Sequence, residues 1–495
     1  MKFEPQNVLV ALDDALSVIL TDVPLTGLHV TGITHDNRAV KPGFIFVGVP
    51  GFKVHGATFA ASAVQAGAIA VLTDGAGAEA CRELGVPVIV SADPRSDMAL
   101  LAREIYSDAQ SQLLSVGITG TNGKTTTAHL VEAVLREHGF NPMLLGTVGI
   151  RFADVYEPSS RTTPEATDLH ALLLSAKQSG AKSFVMEVSS HALALGRVDG
   201  VDFNVAVFTG LSQDHLDFHH TMDNYFEAKA QLFTEAHAEH AVICIDDDWG
   251  VKLAGRCELP TLTYSTTRKA DWTAEDVVTS SDGRVTFIAH GPAKKVAVEI
   301  PLPGRFNVAN ALAAIATADL LALSEATAAT SLAHVTVPGR LERIDCGQDF
   351  VVLVDYAHTP DAVAKAVAVA RECSTGKVIS VLGCGGDRDA AKREPMGLHA
   401  GELSDVVIVT DDNPRSEDPA LIRSAVLKGV AQTAAKAWEI ADREAAILEA
   451  AKMATKGDCI IILGKGHESG QEVAGVVTPF DDREVAISAL KKVLA

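Results

Sequence analysis

Lys124, Thr125, Thr126 and Thr127 come directly after the stretch Gly120-Thr121-Asn122-Gly123. Those residue types in that order suit a polyphosphate. Glycines let backbone N–H groups close around phosphate oxygens, a lysine reaches the terminal phosphates, and a threonine hydroxyl can ligate Mg²⁺. The segment comes after the apolar run 113–118 and opens an amphipathic stretch through Val131 and Leu135, so it belongs where a strand passes into a helix. Position 118 is Ile and Gly117 stands one residue earlier, so the first glycine of the common P-loop spacing is displaced and the loop is a variant. The alternative is an ordinary glycine-rich turn before a helix.

Two later apolar runs end in groups that fit beside such a loop. One closes in Met186-Glu187-Val188-Ser189-Ser190-His191 and brings a carboxylate, two hydroxyls and an imidazole to a strand end, where α/β sheets bind ligands. The other closes in Phe208-Thr209-Gly210 and leads to Asp214-His215. A lone histidine is as readily structural as a ligand. After a phosphate loop and beside Glu187, His215 becomes a candidate Mg²⁺ ligand. Lys229 lies on the helix expected at 222–233, on one stripe with Tyr225 and Phe233. Its amine either enters an apolar environment or snorkels from the helix flank. Burial would favour the neutral amine, which can take up CO₂ as a carbamate, an oxygen ligand for a hard cation.

In the last third, Arg388, the turn Asp412-Asn413-Pro414-Arg415 and the segment Gly464 to Glu468 each come after an apolar run. They should therefore meet at the carboxyl ends of neighbouring strands. Arg415 presents a planar fork that suits a carboxylate, so this is a site for an acid.

The elements that hold these residues alternate. Short β-branched runs at 113–118, 184–188, 205–209, 351–355, 378–383, 406–410 and 459–464 are separated by longer amphipathic stretches, the pattern of an α/β protein with buried parallel sheets. With 495 residues, 47% of them apolar, the chain can bury several cores. The polar stretch 107–112 and Val337-Pro338-Gly339 suggest three domains: residues 1–110 anchor a substrate, 111–337 form a central P-loop sheet, and 338–495 a doubly wound, Rossmann-like sheet. A net charge of −21 opposes broad attraction to nucleic acid or anionic lipid. No apolar run is long enough to span a bilayer, and Glu4, Asp13 and Asp14 fall where a leader peptide would carry no acid, so a cytoplasmic protein without membrane insertion is expected. The seven cysteines show no CxxC pair or zinc spacing and read as idle thiols.

Taken in order, these segments resemble the Mur ligases, most closely the branch that adds diaminopimelate. The resemblance also runs through Asp36-Asn37-Arg38, Lys41-Pro42-Gly43, Thr162-Thr163-Pro164, Phe306 to Asn310, Pro338-Gly339-Arg340, Asp355 to His358 and Gly385 to Arg388. It implies a ligase that uses ATP to phosphorylate a carboxylate of UDP-N-acetylmuramoyl-L-alanyl-D-glutamate; the amine of meso-2,6-diaminopimelate then displaces phosphate. By the same resemblance Gly120 to Thr126, Asn307 and Arg340 bind ATP. Thr125, Glu187, His215 and carbamylated Lys229 hold Mg²⁺, and catalysis rests on Lys124, Glu187, His215 and Lys229. Asn37, Thr162, Thr163, Ser190 and Arg197 grip the UDP-muramoyl-dipeptide; Arg388, Asp412, Asn413, Arg415, Gly464 and Glu468 bind diaminopimelate. The working form would be a monomer. Three positions depart from the family pattern: Gly210 where Asn is usual, Gln213 where Arg is usual, and Asn37 where Ser is more usual. Alternatives are the same reaction with L-lysine, a ligase like folylpolyglutamate synthase, and a P-loop NTPase acting as a switch.

Overall fold

A computed structural model of the chain describes residues 3–19, 27–51, 53–159, 161–280 and 283–494. Met1 and Leu20, the ends of the segment read for a leader, lie outside them. Among the described residues no helix is long and apolar enough to cross a membrane. The chain divides into two compact units, one of Met1–Thr273, Gly291–Lys294 and Ala309–Ser331, the other of Ala274–His290, Lys295–Val308 and Leu332–Ala495.

Two sheets of the first unit position the site, beside a two-stranded pair of Val10–Ala11 with His29–Val30. In the smaller, β1 (Gly32–Thr34), β2 (Phe44–Gly48), β3 (Ala70–Thr73) and β4 (Val88–Val90) pair in that order and all in parallel. Along β2 the two-residue period sends Ile45 and Val47 into one core and Phe46 into the opposite one. Helix α1 (Pro94–Ile105) covers the first face with Met98, Leu101 and Ile105. Asp93 caps it by accepting from the N–H groups of Arg95 and Ser96, and Pro94 opens its first turn.

The larger sheet centres on β5 (Leu114–Thr119), the strand before the phosphate loop, with helix α2 (Lys124–Glu137) after it. Its strands around the loop include β6 (Pro142–Gly146), β7 (Gly149–Phe152), β8 (Val155–Glu157), β9 (Ser183–Glu187), β10 (Phe203–Phe208), β11 (Ala238–Cys244) and β12 (Thr261–Ser265). Along these eight strands of the sheet the spatial order is β8-β7-β6-β9-β5-β10-β11-β12, antiparallel only around β7. Helix α3 (Ala166–Gln178) serves both sheets. Leu169, Leu172 and Leu173 enter the larger core, while Ala166, Ala171 and Leu174 enter the smaller one. A helix apolar on two faces joins two layers into one compact unit.

In the second unit the expected doubly wound sheet is present. Strands β13 (Val351–Asp355), β14 (Val378–Leu382), β15 (Val406–Val409), β16 (Lys436–Glu439) and β17 (Cys459–Leu463) run in parallel in the order β13-β17-β14-β15-β16, with the short strand Glu342–Arg343 antiparallel outside β13. Cys459, Ile461 and Leu463 face the core shared with α5 (Pro360–Glu372), α6 (Arg393–Leu403) and α7 (Pro419–Val430). Ile460 and Ile462 face the core shared with α8 (Arg443–Met453) and α9 (Asp482–Leu494). Helices on both faces explain why β17 is an unbroken apolar run. All the expected strands occur, with ends moved by one or two residues.

Candidate active site

The phosphate loop joins β5 to α2 in the first unit. Gly120 and Gly123 have φ of +149° and +89°. A Cβ would stand 2.0 Å from Thr209 Oγ1 at Gly120 and 2.6 Å from Asn310 Oδ1 at Gly123, so neither position accepts a side chain without movement. The loop is tied to the end of β10: the Thr121 N–H donates to the Gly210 carbonyl (2.9 Å) and Thr209 Oγ1 to the Asn122 carbonyl (2.6 Å). Gly210 itself has φ of +118°, and a Cβ there would lie 2.8 Å from Asp247 Oδ2, which accounts locally for glycine at this departure from the family pattern. Lys124 Nζ donates to the carbonyls of Gly120 (3.0 Å) and Thr121 (2.9 Å). Thr125 and Thr126 are buried at the start of α2.

Glu187 ends β9 and is buried without an ion-pair partner among the described residues. Its Oε2 accepts from Thr125 Oγ1 (2.9 Å) and Thr147 Oγ1 (3.1 Å), and its Oε1 from the Thr147 N–H (2.8 Å). A carboxylate held only by neutral donors stays unneutralised, a strong pull on a cation.

Lys229 corrects the snorkelling alternative. On α4 (Met222–Ala230) its side chain is 2% exposed, and Nζ donates to the Gly120 carbonyl (2.8 Å) and lies 4.8 Å from the Tyr225 ring centre. Burial, helped by the charge of Lys124, holds its amine well below the ordinary lysine value. The expected helix 222–233 ends at Ala230, and Gln231–Phe233 tighten into a 3₁₀ turn, a common helix ending.

His215, with φ of +53°, stands beside Asp214, its Nε2 3.4 Å from Asp214 Oδ2. Its ring lies 4.8 Å from that of His191 and 6.2 Å from that of Tyr225, whose hydroxyl meets Thr121 Oγ1 at 3.1 Å. Burial lowers the pKa of His215 against the pull of Asp214, with Lys124 and Lys229 adding to the fall. Tyr225 and the loop thus bring His215, Lys124 and Lys229 into one neighbourhood. Among the described residues no three His, Cys, Asp or Glu side chains form a metal cluster.

Most of the residues assigned to the muramoyl-dipeptide gather around the end of β9 and the short helix Ser190–Ala194. Thr163 Oγ1 donates to the Glu187 carbonyl (2.9 Å), and Thr162 Oγ1 lies 3.0 Å from Thr147 Oγ1. Ser190 Oγ lies 2.9 Å from His219 Nε2, and Arg197 pairs with buried Glu165 at 2.9 Å. Asn37 is apart from them, in the 3₁₀ turn Asn37–Ala39 after β1, donating to Ser62 Oγ (3.0 Å).

In the second unit three loops after β14, β15 and β17 are stitched together. The Gly386 N–H donates to the Asn413 carbonyl (2.9 Å), Arg415 NH1 to the Gly386 carbonyl (2.6 Å), and Asn413 Nδ2 to Glu468 Oε2 (2.8 Å). Asp412 is buried, and a Cβ on Gly464 would lie 2.5 Å from its Oδ2. Arg415 has φ of +54°, and its Nε is 3.4 Å from Glu472 Oε2, so its fork is partly engaged. Arg388 is exposed at the edge of this group. Asn307 donates to the Pro303 carbonyl (2.8 Å), and Arg340 stacks over the Tyr356 ring at 4.6 Å.

Two residues of these groups escaped the sequence reading. Thr147 comes just after β6, so the rule that ligands gather at strand ends could have found it. Lys465 lies inside Gly464 to Glu468, yet a lysine between glycines reads as solvated; it is fully buried.

The sequence matches the Mur ligase family catalytic domain over residues 29–106, the Mur ligase middle domain over 118–318 and the Mur ligase glutamate ligase domain over 339–466. It is 48% identical over 493 residues to the UDP-N-acetylmuramoyl-L-alanyl-D-glutamate–2,6-diaminopimelate ligase of Streptomyces coelicolor, spanning 98% of this chain and 96% of that one. Identity to the ligase of the same name from Corynebacterium efficiens is 45% over 485 residues, spanning 95% and 92%. A solved structure of a ligase of that name is similar with a TM-score of 0.72 at 34% identity, over 98% of this chain and 99% of that one.

Proposed function

The chain belongs to the Mur ligase family, and from that premise we propose that it joins meso-2,6-diaminopimelate to UDP-N-acetylmuramoyl-L-alanyl-D-glutamate in an ATP-dependent, amide-forming reaction of peptidoglycan synthesis. The observation that carries this reading is near-full-length identity to 2,6-diaminopimelate ligases in a chain whose phosphate loop is hydrogen-bonded to both Glu187 and Lys229. The work is divided by domain: residues 1–110 anchor the UDP end through Asn37, 111–337 bind ATP, and 338–495 bind the amino acid.

In the first step the terminal phosphoryl group of ATP passes to a D-glutamyl carboxylate, giving an acyl phosphate and ADP. Lys124 exchanges the carbonyls of Gly120 and Thr121 for phosphate oxygens, and Gly120 to Thr126 surround the phosphates with N–H and hydroxyl donors. Asn307 and Arg340 contact the rest of the nucleotide. Thr162, Thr163, Ser190 and Arg197 hold the dipeptide so that its carboxylate faces the transferred group. In the second step the diaminopimelate amine bonds to the acyl carbon, the bond to phosphate breaks, and the nitrogen gives its extra proton to water.

The donors suit Mg²⁺: buried Glu187 lacks a cationic partner among the described residues, Thr125 and His215 add a hydroxyl and an imidazole, and Lys229 is sealed where its amine is readily neutral. Lys229 as a carbamate would supply the further oxygen. Bound Mg²⁺ neutralises the charge that develops on the moving phosphoryl group. Asp412, Asn413, Arg388, Arg415, Gly464 and Glu468 pair with the two charges at the far end of diaminopimelate, an end that L-lysine lacks in part. A monomer acting in the cytoplasm completes the reading, and the charge of −21 opposes broad attraction to nucleic acid.

Phosphate release tests the reading. Release should require ATP, Mg²⁺, the UDP-muramoyl-dipeptide and an amino acid together. Equal release from ATP alone would favour an NTPase switch and contradict the ligase.

A further inference from the structure

Lys465 sits between two glycines in left-handed backbone, Gly464 (φ +117°) and Gly466 (φ +54°), just after β17. Its side chain is 0% exposed, so it cannot act as a solvated surface charge. Nζ donates to Asn413 Oδ1 (3.0 Å) and to Glu468 Oε2 (3.1 Å), and lies 3.9 Å from Asp412 Oδ1. These partners are three of the groups assigned above to the amino acid. A second donor, the Glu472 N–H, meets the same Asn413 oxygen at 3.0 Å. With two donors on Oδ1, the Asn413 amide can only turn Nδ2 toward Glu468, where it donates to Oε2. Glu468 Oε1 accepts no hydrogen bond from the described residues and is the oxygen left to a ligand.

The charges behind the loops have the same sense. Arg443 is buried and spends Nε and NH2 on Asp482, at 2.7 Å each, which cancels that pair. Lys465 meets Glu468 and lies near Asp412, Arg415 turns its Nε to Glu472, and Arg388 is exposed at the edge of the group. The open Oε1 of Glu468 is then the oxygen that an ammonium on the ligand would meet.

We infer that Lys465 is a positioning residue for the amino-acid substrate: it fixes the Asn413 amide and the Glu468 carboxylate in the arrangement that receives the distal ammonium of diaminopimelate. The inference rests on the assignment of Asn413, Arg415 and Glu468 to that substrate. Without the buried cation, Glu468 would lose its ammonium partner and Asp412 the ammonium beside it, and the Asn413–Glu468 contact would lose its common partner.

The test uses the full-length enzyme as K465M, measured beside E468Q and R415A. K465M should raise the KM for diaminopimelate by about tenfold or more, while the KM values for ATP and the UDP-muramoyl-dipeptide stay within about twofold. Diaminopimelate should no longer raise the unfolding temperature of K465M, while ATP still should. Adding E468Q to K465M should raise the KM little further, because the carboxylate has already lost its position. If K465M does not fold, K465Q, which keeps a donor for Asn413 without the charge, is read in its place against the same expectations. A lowered unfolding temperature with an unchanged diaminopimelate KM, while E468Q and R415A are impaired, would make Lys465 merely structural and overturn the inference. Unchanged KM values in all three variants would overturn the site assignment and the inference together.

Discussion

An amine buried beside Tyr225 and near the charge of Lys124 gives up its proton more easily than one in water, and only the neutral amine adds CO₂. Lys229→Ala should therefore abolish turnover, and a short carboxylate such as formate should restore part of it; full activity without the additive would remove Lys229 from the metal site. Arg415→Ala should raise the diaminopimelate KM by about tenfold and leave the ATP KM alone, since an arginine–carboxylate pair is worth a charged hydrogen bond or more. An unchanged amino-acid KM would sink that role. At this scale spacing and position in the sequence pointed to Lys124, Glu187 and Arg415 as candidates. It left Lys229 open, because a helical stripe shows which neighbours share a face and not whether another element covers them. Tertiary cover from the phosphate loop decided that case. Lys465 escaped for the same reason: its burial comes from loops distant in sequence.

Between β5 and α2 the loop has no room for side chains at Gly120. Gly120→Ala adds both a left-handed backbone penalty and a clash with Thr209 Oγ1 at 2.0 Å. It should destabilise the fold by about 1–3 kcal/mol and weaken ATP binding, read by urea unfolding and nucleotide titration. Helix α3, shared by two cores, carries a second element-level consequence at His170. Burial pushes this histidine down to about 4 from an ordinary 6.5, and its Nε2 has no hydrogen-bond partner among the described residues. Between those values the unfolded chain binds a proton that the folded one refuses, so stability falls as pH drops from 6.5 toward 4, by about 3 kcal/mol in all. His170→Gln should flatten that part of the pH–stability curve; equal slopes for both proteins would show that His170 does not titrate as its burial dictates. Elements were read well where one physical rule governed them. In the second unit, continuous apolar runs buried between two helical layers made β13, β14, β15 and β17 visible, while the exposed strand β16 offered no such run. The end of α4 was missed because its last turn tightens without any glycine or proline to mark it.

Across the whole molecule, composition and the alternation of strand and helix patterns were enough for an α/β chain with buried parallel sheets. They did not show that the smaller parallel sheet and the sheet of the phosphate loop share one compact unit, because that depends on α3 burying leucines on one face and alanines with Leu174 on another. Both faces are apolar, so the letters of the helix do not say which core each face enters. The acidic surface makes local cation sites, not the overall field, responsible for holding anionic substrates. Lys124→Ala, which leaves the rest of the chain's charge intact, should thus abolish ATP-dependent turnover without loss of folding. An active variant would contradict the phosphate-loop assignment. The most direct measurement is to incubate the protein with ATP, Mg²⁺ and UDP-N-acetylmuramoyl-L-alanyl-D-glutamate, supply either meso-diaminopimelate or L-lysine, and quantify UDP-muramoyl-tripeptide. The tripeptide should form with diaminopimelate and fall to a small fraction with lysine; equal or greater product from lysine would contradict the reading of the second unit as a diaminopimelate site.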